Sequence, residues 1–232
     1  MKILGIIPAR GGSKGIPKKN IKLLGGKPLL EYTAKAALAS KLLSRVILSS
    51  DDSEIIEVAK NIGLEVPFVR PEKLSQDDTP SISVIKHALE FFEAKNEFFD
   101  AICLLQVTSP FREEDLIDRS IQNFESGDLD SLISVREVPT DFNPHWIFET
   151  DSKDHLKIAT GDEKIISRRQ ELPKAFHRDG AIYITRTEVI LKQNSLYGSS
   201  IGYIESKNDR YVNIDTLDDW RVAEEISKKI QG

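Results

Sequence analysis

Ile3-Leu4-Gly5-Ile6-Ile7-Pro8-Ala9-Arg10-Gly11-Gly12-Ser13-Lys14-Gly15-Ile16-Pro17-Lys18-Lys19-Asn20 is an apolar run that passes directly into a glycine-rich, basic stretch. Residues 3–7 show no polar alternation, which predicts a strand covered on both faces, as in a parallel sheet. In an open parallel sheet, ligands sit beyond the carboxyl ends of the strands. The loop after this strand is therefore the first place to look for a site. Gly11, Gly12 and Gly15 let the backbone approach a ligand closely and offer N–H donors free of side-chain bulk. Arg10, Lys14, Lys18 and Lys19 place four cations within ten residues. Such a loop suits a polyphosphate. It is neither a P-loop nor a dinucleotide fingerprint, because no lysine has the Gly-x-x-x-x-Gly-Lys context and the glycines do not fit Gly-x-Gly-x-x-Gly.

Outward from this loop, short apolar runs alternate with helix-period segments. A helix is expected over Pro28–Leu43, with Leu29, Leu30, Ala34, Ala37 and Leu38 on a common face. Strands are expected at Arg45–Ser50, Val66–Arg70, Ala101–Gln106 and Ser131–Val135. Between them fall helices from the Asp51-Asp52-Ser53 cap to Ile62, over Pro80–Ala94 and over Glu113–Phe124. The alternation predicts an α/β domain with a Rossmann-like, mostly parallel sheet, right-handed crossovers and helices on both faces. The rhythm breaks at 139–178, which holds Pro139, Pro144, Pro173 and the aromatics Phe142, Trp146 and Phe148. That stretch is expected to be an inserted arm, leaving 1–138 and 179–232 as the α/β domain. Beyond it come a strand at Ala181–Ile184, a helix near Arg186–Gln193, strands near Ile201–Ile204 and Tyr211–Ile214, and a closing helix over Leu217–Ile230.

Composition narrows the class. The 232 residues carry 32 Lys+Arg against 37 Asp+Glu, a net charge of -5. A nucleic-acid binder usually shows a basic excess, so no nucleic-acid partner is expected. The single cysteine, Cys103, lies in an apolar run and excludes a disulfide framework within one chain. No apolar run approaches the ~20 residues that cross a bilayer, and Ile3–Ile7 is too short for a signal peptide. A cytoplasmic location without membrane association is the expectation.

Residues 8–20 resemble the opening motif of the acylneuraminate cytidylyltransferase family, the CMP-sialic acid synthetases, almost position for position. The resemblance continues through Ser49-Ser50-Asp51, through Arg70-Pro71-Glu72-Lys73-Leu74-Ser75-Gln76-Asp77 with Ser81 following, and through Gln106-Val107-Thr108-Ser109-Pro110-Phe111-Arg112. It extends to Arg168–Tyr183 and to Val212-Asn213-Ile214-Asp215-Thr216. It implies a fold of the nucleotide-diphospho-sugar transferase type. It also implies a reaction in which CTP and a nine-carbon α-keto acid sugar, N-acetylneuraminate or a related nonulosonic acid, give a CMP-sugar and pyrophosphate.

The resemblance assigns nucleotide binding to Ala9, Arg10, Gly11, Gly12, Ser13, Lys14, Asn20, Arg70 and Ser81, and catalysis to Arg10, Lys19 and Asp215. Sugar binding falls to Gln106, Arg169, His177, Asp179 and Tyr183. A planar guanidinium at Arg169 suits the sugar carboxylate. Mg²⁺ (or Mn²⁺) is implied at Asp215 with Asn213, which share one face of the chain at i and i+2. The family carries an aspartate where Asn213 stands, and an amide brings no charge to a cation. His177, Asp179 and His145 also depart from the sialic acid enzymes, which leaves legionaminate and pseudaminate as competing acceptors. The arm is expected to make a homodimer. The competing readings are a 3-deoxy-octulosonate enzyme, a catalytically weak CTP-binding protein and a dinucleotide oxidoreductase. The first lacks the Gly-Gly-Ser-Lys-Gly run and the last would need Gly-x-Gly; intact Arg10, Lys19 and Asp215 argue against the second.

Overall fold

The computed structural model describes residues 1–231. In chain order the elements are β1 (Ile3–Pro8), β2 (Leu23–Leu24), β3 (Lys27–Pro28), α1 (Leu29–Ala39), β4 (Arg45–Ser49), α2 (Ser53–Ile62), α3 (Ser81–Glu93) and β5 (Ala101–Leu104). They continue as α4 (Leu116–Ser126), β6 (Ser131–Glu137), β7 (Phe148–Thr150), β8 (Leu156–Ile158), β9 (Phe176–Arg186), α5 (Thr187–Gln193), β10 (Ile201–Glu205) and α6 (Leu217–Gln231). Six strands form one sheet in the order β10-β6-β9-β5-β1-β4. β1 pairs in parallel with both β4 and β5, whereas β9 runs antiparallel to β5.

Strand alternation divides the interior into two layers. Ile3, Ile7, Ala101, Cys103, Ile182 and Ile184 pack with residues of α1, α2, α4 and α6. Leu4, Ile6, Ile102, Leu104 and Tyr183 face the other way, onto α3 and α5. A strand flanked by helices on both sides has no polar face, which is why β1 reads as an unbroken apolar run. Gly5 stands on the first face, where a Cβ would come within 3.1 Å of Leu43 Cδ1. Burial pushes the Cys103 thiol up to about 12, the behaviour of an inert core residue.

Local signals account for most element ends. Asp52 accepts a hydrogen bond from the Ile55 N–H at 3.0 Å and caps α2, which Gly63 ends at φ 91°. Two expected strands are absent. Residues 66–70 form no ladder; the segment touches β4 through one bridge, Ile47 to Glu65, and through Arg70 N–H to Ser50 O at 2.8 Å. Pro67 removes a donor between these contacts, so pairing cannot propagate. Residues 211–214 are also irregular, held by the Ile214 N–H on Thr108 O at 2.8 Å. α1 stops at Ala39, short of Leu43, and Leu38 lies 44% exposed rather than on the buried face.

Two compact units are present, Met1–Ser134 with Asp179–Gly232, and Val135–Arg178. The smaller unit contains the β7–β8 hairpin and 3-10 turns at Thr140–Phe142, Pro144–Trp146 and Arg169–Glu171. Asn143 is its polar centre, 4% exposed, with Nδ2 donating to Pro173 O at 2.9 Å. Trp146 is half-buried, and its Nε1 donates to Ile166 O. Phe142, Leu156 and Ile165 stay exposed at 66, 68 and 52%. Among the described residues no helix is long and apolar enough to cross a membrane.

Candidate active site

The loop after β1 has little side-chain bulk of its own, and aspartates from elsewhere give it shape. Asp51 Oδ1 accepts from the Gly11 N–H at 3.1 Å. A Cβ on Gly11 would lie 2.6 Å from Asp52 Oδ2, so glycine permits the approach of that helix cap. Arg10 and Lys14 converge on one carboxylate, Asp77. The Lys14 and Arg10 contacts hold that carboxyl below its usual range. The pair therefore persists at any pH above the ordinary carboxylate value of about 3.9. Asn20 is 7% exposed and its Nδ2 donates to Arg10 O at 2.9 Å, fixing the loop's return.

The loop's far end meets the segment before α6. Lys19 Nζ donates to Ile214 O at 2.7 Å and to Asp215 Oδ1 at 3.2 Å, with its side chain 13% exposed. Asn213 Nδ2 donates to the other carboxylate oxygen at 2.7 Å. Asp215 is thus held by an ammonium on one side and an amide on the other. Gly15 lies against the same segment, where a Cβ would collide with the Asp215 carbonyl oxygen.

Asn213 also connects to a second group. A Cβ on Gly180 would lie 3.1 Å from Gln106 Oε1, 3.0 Å from Ser109 Oγ and 3.7 Å from Asn213 Oδ1. Gly180 has φ 78°, a left-handed conformation that a side chain would strain as well as crowd. Both amide side chains thus lie close to one glycine, and Asn213 is in turn bonded to the Asp215 carboxylate.

Other candidates are placed differently. Arg70 is 5% exposed and turns inward, donating from Nε to Ser49 Oγ at 3.2 Å and from Nη2 to Ser49 O. Burial pushes its guanidinium down to about 10, so it stays charged at neutral pH. Asp179, expected at the sugar, is 2% exposed. Ser134 Oγ, the Ala181 N–H at 2.9 Å and Ser206 Oγ at 2.6 Å all donate to its carboxylate, which serves the interior instead. Tyr183, also expected at the sugar, is 5% exposed in the core layer on α3 and α5. Ala9 is buried, Gly12 and Lys14 are exposed, Ser13 is half-buried, and Ser81 is the first residue of α3. Arg169 and His177 are exposed and belong to the smaller unit, where Arg169 lines a cavity of about 450 Å³ with Glu137, Pro139 and Asp141.

Asp77 and Arg112 are residues that the motifs contain but do not single out, and the structure gives each several partners. Asp77 ends the Arg70–Asp77 motif, and its meaning shows only when Arg10 and Lys14 meet it. Among the described residues no three His, Cys, Asp or Glu side chains converge on a metal position. One carboxylate, Asp215, and one amide, Asn213, form the donor set. Mg²⁺ is commonly held by one or two carboxylates together with substrate phosphates, so these residues fit an ion that arrives with a polyphosphate.

The Gly15 contact makes a stability prediction. Gly15→Ala should lower the free energy of unfolding by about 1–3 kcal/mol, because backbone must move to admit the methyl group. Gly12→Ala, with nothing within 4 Å of its new Cβ, should stay within about 0.5 kcal/mol of the parent. Urea denaturation of both variants checks this; equal stabilities would show that the Gly15 approach carries no constraint.

Residues 4–217 match the sequence profile of a family described as Cytidylyltransferase. The chain is 34% identical over 229 residues to a pseudaminic acid cytidylyltransferase of Campylobacter jejuni, covering 98% of this chain and 97% of that one. It is 33% identical over 227 residues to a CMP-N,N'-diacetyllegionaminic acid synthase of Legionella pneumophila, covering 97% and 96%. Its fold is similar to a solved CMP:2-keto-3-deoxy-manno-octonic acid synthetase complexed with CTP, at TM-score 0.75 and 16% identity over 99% of this chain and 100% of that one. With a match of this extent around a phosphate-suited loop, the chain belongs to the cytidylyltransferase family and is a CTP-dependent nucleotidyltransferase.

Proposed function

We propose that this enzyme transfers the cytidylyl group of CTP to a nonulosonic acid of the pseudaminate or legionaminate kind. The observation that carries the reading is a basic loop whose Arg10 and Lys14 share Asp77 and whose Lys19 holds Asp215 beside Asn213, with Gln106 nearby at Gly180. The names of the Campylobacter and Legionella relatives support the sugar class. So do His145, His177 and Asp179, the positions at which the chain departs from sialic acid enzymes.

In the proposed reaction the anomeric hydroxyl oxygen of the sugar attacks the α-phosphorus of CTP. The α–β phosphoanhydride bond breaks, pyrophosphate leaves and the hydroxyl proton passes to solvent. Transfer of this kind depends mainly on positioning and charge neutralisation. Arg10 and Lys14 exchange Asp77 for phosphate oxygens, while Gly11 and Gly12 N–H groups line the loop. Lys19 lies at the opposite end, where a cation stabilises charge building on the leaving group. Gln106 is suited to hydrogen-bond polar substituents of the sugar. Mg²⁺ or Mn²⁺, with Asp215, the Asn213 amide oxygen and the nucleotide phosphates as donors, would supply further charge neutralisation at the phosphates. The free thiol of Cys103 and a nucleotide substrate support a cytoplasmic site of action.

Three measurements bear on this. Pyrophosphate release with CTP and Mg²⁺ is expected with pseudaminate or N,N'-diacetyllegionaminate and to be weaker with N-acetylneuraminate and 3-deoxy-octulosonate. Silence across all four acids with CTP binding retained would point to the catalytically weak binding protein instead. Asn213→Asp removes the donor to Asp215 and sets two carboxylates side by side, so half-maximal activity should need less Mg²⁺, by about threefold to tenfold. An unchanged requirement would remove Asn213 from the metal site. The exposed Phe142, Leu156 and Ile165 of the smaller unit support a homodimer formed through the arm. Sedimentation at twice the 26.1 kDa chain mass is expected, and a monomer would overturn that assignment.

A further inference from the structure

Arg112 occupies a place that the β5–β9 ladder would otherwise fill. The ladder pairs Ala101 with Arg186 and ends at Leu104 with Tyr183. Carried two residues further, its register would set Gln106 opposite Ala181. The strands instead admit a guanidinium at that level. Arg112 Nη2 donates to Gln106 O at 2.6 Å and to Ala181 O at 2.9 Å, and Nε donates to Ala181 O at 3.1 Å. Nη1 donates to Thr33 Oγ1 on α1 at 2.8 Å. Two backbone carbonyls and a hydroxyl thus take the hydrogen bonds of one planar fork. Burial pushes this guanidinium down to about 10, and the Asp179 charge opposes the shift. It therefore stays protonated at neutral pH.

The two carbonyls belong to residues that frame the Gln106 and Gly180 contact. Gln106 carries the side chain that lies over Gly180, and Ala181 follows Gly180 directly. From the other side, Ser109 Oγ donates to Asp179 O at 3.0 Å and the Ala181 N–H returns to the Asp179 carboxylate at 2.9 Å. Backbone on both sides of Gly180 is therefore fixed: Arg112 ties the Ala181 carbonyl to the Gln106 carbonyl, and Ser109, whose N–H donates to Gln106 O at 3.4 Å, ties the Asp179 side. A lysine cannot replace this. A single ammonium centre carries three donors without the planar fork that spans two carbonyls and a hydroxyl at once.

We infer that Arg112 is a positioning residue for the acceptor: its guanidinium splays the end of the β5–β9 ladder and holds the Gln106 side chain over Gly180, where the sugar is recognised. The inference rests on the nonulosonic acid reading above. It adds a residue that touches no substrate yet affects one of the two substrates only. The nucleotide loop gains its shape from Asp51, Asp52, Asp77 and Asp215, whereas Arg112 donates to Thr33, Gln106 and Ala181, so CTP affinity should not follow.

The test uses the intact chain with pseudaminate or N,N'-diacetyllegionaminate, whichever releases pyrophosphate with the unaltered enzyme. Arg112→Lys should raise the KM for that acid by about tenfold or more, while the Kd for CTP measured by calorimetry stays within about twofold. Thr33→Val removes one acceptor and leaves the carbonyl bridge, so it should move the sugar KM in the same direction by about twofold to threefold. If Arg112→Lys does not fold, Thr33→Val decides alone: a rise confined to the sugar KM upholds the inference, and no rise overturns it. A parallel loss of CTP affinity in either folded variant would make Arg112 a general structural residue and overturn it as well. An unaltered enzyme silent with every acid defeats the underlying reading. An active one whose sugar KM ignores both substitutions defeats the inference alone.

Discussion

The ammonium of Lys19 joins parts of the chain that lie 195 residues apart, donating to the Ile214 carbonyl and to the Asp215 carboxylate. Without it the glycine loop after β1 would have few ways to hold its form, since three of its residues lack side chains. The four cations of the loop meet three acids: Arg10 and Lys14 share Asp77, Lys18 meets Glu54 and Lys19 meets Asp215. Most of the positive charge of this basic loop, in a protein of net charge -5, is therefore offset locally. An incoming polyphosphate exchanges one anion for another rather than entering a field of unpaired charge. Exposed pairs of this sort contribute little to stability. Their value here is geometric, because they keep the donors in place.

Much of the fold was legible because burial on two faces leaves a plain mark. Ile3–Ile7 and Ala101–Leu105 are unbroken apolar runs, and such runs mean strands with helices above and below. Asp52 and Gly63 bracket α2 with side-chain and backbone signals that act within a few residues. The failures share a different cause. Val66–Arg70 has the residue types of a strand, but Pro67 interrupts its donors and β4 offers only an edge. Tyr211–Ile214 has β-type residues too, and its backbone is claimed by one bond to Thr108 and by the clasp on Lys19. Composition records what a segment prefers, not what stands beside it.

The site divides in the same way. Arg10, Lys14 and Lys19 stand out as candidates because charge and glycine are concentrated in one loop, whereas Asn213 and Asp215 stand out only through the likeness of Val212–Thr216 to the family's strand end. The same motifs do not distinguish a residue that faces a ligand from one that supports it. Asp179 and Tyr183 lie within a stretch similar to the family's sugar motif, yet one carboxylate is consumed by internal donors and the ring lies in the core. Arg112 is the converse case. It closes the Gln106–Arg112 motif and is ordinary in sequence; only the geometry of Thr33, Gln106 and Ala181 around it sets it apart. Spacing along the chain cannot report a partner that arrives from another strand.

The Asp179 carboxylate has a consequence for how the molecule folds and unfolds. Its donors come from Ser134 on β6, from Ala181 on its own strand and from Ser206 beyond β10. Segments separated by as many as 72 positions, residues 134 to 206, must be assembled before the group is satisfied. Loop-closure entropy is spent first and the hydrogen bonds follow. Such an interaction adds little to the rate at which the chain finds its fold. It acts on the way out, as a kinetic latch that lengthens the lifetime of the native state.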